Sequence, residues 1–126
     1  MKEESMARIL IIDDNEDECT IVQTELNAAG YQTIIANNGD QGVALAKQFL
    51  PDLILCDINM PGMNGFETYR VLKSFSQTKT LPFVFLTGSA DAMSGKFGTD
   101  LGGEEFIEKP FSFSKLLAVV QSRLDK

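Results

Sequence analysis

Five short runs of apolar residues, separated by segments of helical periodicity, constrain this chain more than any other feature of its sequence. Ala7 to Ile12 (A-R-I-L-I-I), Tyr31 to Ala36, Leu53 to Cys56 (L-I-L-C), Pro82 to Leu86 (P-F-V-F-L) and Glu105 to Glu108 have the length of strands. The first and third are nearly continuous in apolar residues rather than alternating, the mark of strands buried on both faces. Between the runs, apolar residues recur at helical spacing. Cys19, Val22, Leu26 and Ala29 form one such face, in a helix opened by an Asn15…Glu18 pair that resembles a capping box and closed at Gly30. After an Asn38-Gly39 turn, a helix over Asp40 to Leu50 turns Val43, Ala46 and Leu50 inward and stops before Pro51. A helix over Gly65 to Phe75 presents Phe66, Tyr69 and Leu72, and a last helix capped by Ser112 buries Phe113, Leu117, Val120 and Leu124. The stretch from Gly88 to Gly103 is broken by glycines. Within it, Ser94 to Gly98 is poor helix sequence, because each interior glycine costs about 1 kcal/mol relative to alanine. A fourth helix there is expected to be short or mobile.

Strands alternating with helices imply βαβ units, right-handed crossovers and a parallel sheet with helices on both faces. The length of 126 residues suits a single α/β domain over residues 7–126, with the polar residues 1–6 as a flexible tail. The net charge of −7 argues against direct binding of nucleic acid or an anionic membrane. No apolar run approaches the ~20 residues that span a bilayer. With two cysteines, Cys19 and Cys56, both in apolar-patterned segments, the expectation is a cytoplasmic chain with reduced, buried thiols. The chain has no histidine, which removes the usual general base and the commonest zinc ligand.

The residues that close the strands carry the chemistry. In an open parallel sheet the ligand site lies beyond the carboxyl ends of the strands. Asp13 and Asp14 follow the first run, Asp57 the third, Thr87 the fourth and Lys109 the fifth. Three carboxylates, a hydroxyl and an ammonium thus converge on one rim. Carboxylates so close repel one another unless a hard divalent cation relieves them, and Mg²⁺ prefers oxygen ligands while keeping several waters. Such a cation can also take phosphoryl oxygens, Lys109 adds positive charge and Thr87 a hydrogen-bond donor. With no histidine or serine elbow, a carboxylate is the best candidate nucleophile.

On four motifs the chain resembles the receiver domain of two-component response regulators over nearly its whole length. They are I-I-D-D at Ile11 to Asp14, D-I-N-M-P-G-M-N-G from Asp57 to Gly65, L-T-G at Leu86 to Gly88 and E-K-P-F at Glu108 to Phe111. The resemblance implies a doubly wound (βα)5 fold with strand order 2-1-3-4-5. It implies that Asp57 is the phosphoacceptor and that Asp13, Asp14, Asp57 and the backbone carbonyl of Asn59 hold Mg²⁺, with Mn²⁺ as a substitute. By the same resemblance Asp14 is the direct ligand and Asp13 acts partly through water. Lys109 would pair with the phosphoryl oxygens across a cis Lys109-Pro110 bond, Thr87 would move inward to bond the phosphoryl group, and Phe106 would turn with it. Asn59 and Ser89 fall where side chains flank the acyl phosphate and tune its lifetime. The implied partner is a sensor histidine kinase or a histidine phosphotransfer protein, and the implied output surface is the fourth helix, fifth strand and last helix of a monomer or phosphorylation-dependent dimer. Family members form and hydrolyse their own acyl phosphate without turning over an external substrate.

Two residues depart from the commoner family pattern. Gly88 stands where alanine is more usual, and Phe106 lacks the hydroxyl of tyrosine, so it reads equally as a core residue. Three other readings share parts of the pattern. A haloacid-dehalogenase-type phosphatase needs a second aspartate where Asn59 stands. A flavodoxin needs a hydroxyl- and glycine-rich turn where Asp13 to Asp17 would repel a phosphate. An inactive receiver-like binding module has no need of the complete acidic set.

Overall fold

A computed structural model of the chain describes residues 7–88 and 105–125. Five parallel strands, β1 (Arg8–Ile12), β2 (Gln32–Ala36), β3 (Leu53–Asp57), β4 (Phe83–Thr87) and β5 (Glu105–Glu108), form one sheet in the order β2-β1-β3-β4-β5. Among the described residues the helices are α1 (Glu16–Ala28), α2 (Gly39–Phe49), α3 (Gly65–Lys73) and α4 (Phe113–Leu124). The expected tail over residues 1–6, the expected fourth helix around Ser94 to Gly98 and Ser89 lie outside the described residues.

The pleat of the sheet sorts its side chains into two cores. Ile9 and Ile11, Leu53 and Leu55, Val84 and Leu86, and Ile107 point to one face, where Cys19, Val22 and Leu26 of α1 and Leu116, Val119 and Val120 of α4 cover them. Leu10 and Ile12, Ile54 and Cys56, Phe83 and Phe85 point to the other, under Ala46 of α2 and Phe66 and Leu72 of α3. Every residue of β3 and β4 is buried, which explains runs with no polar alternation. Two free thiols, Cys19 and Cys56, are packed in opposite cores, so the sheet separates them.

Three of the expected helix faces shift. In α2, Gly39, Gly42 and Ala46 are buried, whereas Val43 is half-buried and Leu50 is 50% exposed. Leu50 is the C-cap, with a left-handed φ of 47°, and Pro51 disfavours helical backbone at the residue before it, so the helix ends here. Gly39 is the first residue of α2, with Asn38 as its N-cap, so this pair opens the helix instead of forming a separate turn. In α4 the buried stripe is Leu116, Val119 and Val120, and Phe113, Leu117 and Leu124 flank it half-buried. In α1, Cys19, Val22 and Leu26 are buried as expected, but Ala29 is the exposed C-cap.

Candidate phosphoacceptor and metal site

The register of the sheet brings the strand ends to one rim. Ile12 pairs with Ala36 and Cys56, Asp57 with Leu86, and Thr87 with Glu108, so the residues that follow or close these strands are neighbours. The connection is reinforced by backbone bonds beyond the strands: Asp13 N–H donates to Ala36 O at 3.0 Å, Ile58 N–H to Leu86 O at 3.1 Å and Lys109 N–H to Thr87 O at 2.7 Å. Asp13 and Asp57 continue the pleat alternation of Ile9-Ile11 and Leu53-Leu55, which turns them toward the face that α1 covers.

Asp13, Asp14 and Asp57 each offer a carboxylate oxygen, and these lie within 4.8 Å of one another. Asp13 and Asp57 are buried and Asp14 is exposed. Burial pushes the Asp13 carboxyl up to about 7, helped by its hydrogen bond with Glu18 and by the nearby Asp57 charge. Asp57 is also raised, first by burial, against the pull of Lys109. A cluster of hard oxygen donors that repel one another, two of them buried and one open to solvent, is the environment a small divalent cation would stabilise, so the residues fit Mg²⁺.

Lys109 joins Asp57 and Asp13 to a third carboxylate, that of Glu18. Its Nζ lies 2.6 Å from Glu18 Oε1, 3.1 Å from Asp57 Oδ1 and 3.7 Å from Asp13 Oδ2. Burial alone would lower its pKa; contact with Glu18, Asp57 and Asp13 outweighs burial and raises it. The Lys109-Pro110 peptide is cis. Thr87 is fully buried at the end of β4. Asn59 is exposed in the loop after β3. Phe106 is half-buried and stacks on Phe85 with ring centroids 5.1 Å apart, at the edge of a cluster that includes Phe66, Tyr69 and Phe83.

Glu18 is the site residue that the sequence reading missed as such. It was expected to close a capping box with Asn15. The Asn15 side chain does accept from Glu18 N–H at 3.0 Å, but Asn15 N–H donates to Asp13 Oδ1, also at 3.0 Å. The Glu18 carboxylate is left to reach Lys109 and Asp13, and the hydrogen bond to Asp13 holds its pKa below the usual range. The full reciprocal box forms instead at α3, between Asn64 and Glu67.

Comparison with known proteins identifies the family of the fold. Residues 9–121 match the model of the response regulator receiver domain. Protein PilH of Pseudomonas aeruginosa is 37% identical over 119 residues, covering 94% of this chain and 98% of its own length. The DNA-binding response regulator MtrA of Mycobacterium tuberculosis is 34% identical, with 93% of this chain covering 50% of that protein, so the chain spans about half the length of such relatives. The solved chemotaxis response regulator CheY4 of Vibrio cholerae superposes with a TM-score of 0.87 at 33% identity, covering 94% of this chain and 99% of that one. The chain belongs to the CheY-like receiver domains of response regulators, signalling modules of two-component systems.

Proposed function

We propose that the domain over residues 7–126 accepts a phosphoryl group on Asp57 from a phosphohistidine of a sensor histidine kinase or histidine phosphotransfer protein. One observation carries the reading: Lys109 Nζ lies 3.1 Å from Asp57 Oδ1, within a cluster where Asp13, Asp14 and Asp57 offer oxygens within 4.8 Å of one another. In the reaction an Asp57 carboxylate oxygen attacks phosphorus, the donor N–P bond breaks, and the imidazole leaves with its electron pair and takes up a proton. Mg²⁺, held by Asp13, Asp14, Asp57 and the Asn59 carbonyl, would supply positive charge for the phosphoryl oxygens. Lys109 would trade its contact with Asp57 for one with the new phosphoryl oxygens, and Thr87 would donate its hydroxyl to them. Phe106 beside β4 would move with Thr87 and carry the change to the surface formed by β5 and α4. Asn59 and Ser89 would tune the lifetime of the acyl phosphate. This is signalling by self-modification in the cytoplasm, not turnover of a substrate.

Incubation with Mg²⁺ and acetyl phosphate, followed by intact-mass measurement, tests the reading. One added phosphate is expected in the native chain and none in Asp57→Asn. Phosphate retained in that variant, or none in the native chain, would overturn it.

A further inference from the structure

Lys109 lies nearer to Glu18 than to Asp57, at 2.6 Å against 3.1 Å. This contact joins residues 91 positions apart and depends on a local substitution of partners. In α3 the sequence Asn-Gly-Phe-Glu makes a closed capping box, with Asn64 N–H donating to Glu67 Oε1 at 2.8 Å. In α1 the sequence Asn-Glu-Asp-Glu has the same ends, yet Asp13 already occupies the N–H of Asn15. The carboxylate that would have capped the helix is thereby freed to face the site.

An ammonium has three donors in a compact head. Here Glu18, Asp57 and, more distantly, Asp13 already surround it. A phosphoryl group arriving at Asp57 must compete with Glu18 for the same charge. We propose that Glu18 is a positioning residue that holds the Lys109 ammonium on the α1 side of Asp57 and shares its charge before phosphorylation. The proposal rests on the phosphoacceptor reading above. Two effects of opposite sign follow. The Glu18 charge opposes an anionic phosphoryl donor, both directly and by engaging Lys109. The same charge adds to the field that attracts a cation to Asp13, Asp14 and Asp57.

The test compares the native chain with Glu18→Gln, which keeps the side-chain length and the backbone N–H that Asn15 caps. The control is Glu16→Gln, which removes the same charge from an exposed position in the same helical turn. Two quantities are measured: the Kd for magnesium chloride by calorimetry, and the KM for acetyl phosphate in saturating Mg²⁺. In Glu18→Gln the KM is expected to fall about threefold or more while the Kd for Mg²⁺ rises by a similar factor, as for loss of one nearby charge. Glu16→Gln should change both by less than about half as much. Opposed shifts of this kind do not arise from loosened packing, which weakens both. Unchanged constants in Glu18→Gln, equal shifts in Glu16→Gln, or weakening of both constants would overturn the proposal. A native chain that binds Mg²⁺ but takes up no phosphate overturns the phosphoacceptor reading, and the Glu18 inference falls with it.

Discussion

Gly65 meets the carbonyl oxygen of Asp57 so closely that a Cβ on Gly65 would overlap it, and the Cα of Ile58 would stand 2.8 Å away. Both neighbours are backbone, so neither can swing aside. The contact lets Gly65 N–H donate to Ile58 O at 2.9 Å and seats the first turn of α3 on the end of β3. Asp57, the residue that closes β3 and would be modified, therefore has its backbone held by a helix start that only glycine permits.

Gly65→Ala is expected to lower stability by about 1–3 kcal/mol, the usual cost of forcing atoms into a close-packed site. It should also slow phosphorylation by acetyl phosphate, because backing α3 away moves the Asp57 carbonyl. Chemical denaturation and the rate of mass gain measure the two. A midpoint equal to that of the native chain would show that the contact relaxes freely.

Without metal, the site should make the domain more stable in mild acid than at neutral pH. The Asp13 carboxyl is raised from 3.8 to about 7, and Asp57 is raised too, so between these values the folded chain holds more protons than the unfolded one. Stability is then greatest below the unfolded pKa and is lost as pH rises through the folded pKa. Glu18 is lowered from 4.5 and has the opposite sign, but its window lies below that value. With chelator present, the melting temperature is expected to fall by about 5 °C or more from about pH 5.5 to about pH 7.5, and saturating Mg²⁺ should reduce the fall. A metal-free melting temperature that rises across this interval would contradict the raised carboxyls.

The strands and the rim they form were legible because their signals are local. A run such as Leu53 to Cys56, short, continuous in apolar residues and preceded by Pro51, reads as a covered strand, which puts Asp57 at its carboxyl end. Helix faces were less legible. In α4, Phe113, Leu116, Leu117, Val119, Val120 and Leu124 supply two overlapping apolar stripes, and only packing against β3 and its neighbours selects Leu116 and Val119 over Phe113 and Leu117. Glu18 was misread for a related reason. Its local pattern matched a capping box, while the competitor Asp13 and the partner Lys109 are brought to it by the folded sheet.

The two thiols should be inert in the folded state. Cys56 is fully buried, and burial together with the nearby Asp57 charge raises its pKa well above the ordinary value. Burial pushes Cys19 up to about 11, with added repulsion from Asp13 and Glu18. Each thiol also donates to a carbonyl of a site residue, Cys19 to Asp13 O at 3.3 Å and Cys56 to Asp57 O at 3.2 Å. Since the thiolate is the reactive form, alkylation at about pH 8 should be at least tenfold slower in native chain than in chain unfolded by urea. Equal rates would mean that the cores open readily on the timescale of labelling.

Asp13→Asn separates the electrostatic account from a purely structural one. Asparagine keeps an oxygen that can accept from Asn15 N–H, as Asp13 Oδ1 does at 3.0 Å, so the entry to α1 can be preserved. What is lost is a buried charge facing Asp57, whose repulsion the native chain bears without metal. The variant is therefore expected to melt about 5 °C or more above the native chain in chelator at about pH 7.5. Its melting temperature should depend less on pH between about 5.5 and 7.5, because the most strongly raised carboxyl is gone. Mg²⁺ should raise the melting temperature of the native chain and shift that of the variant much less, since a ligand stabilises only as far as it binds. If Asp13 instead serves mainly to anchor the start of α1, the variant melts lower than the native chain in chelator and keeps the full Mg²⁺ shift. That pair of results would remove Asp13 from the cation site and leave Asp14 and Asp57 as its carboxylates among the described residues.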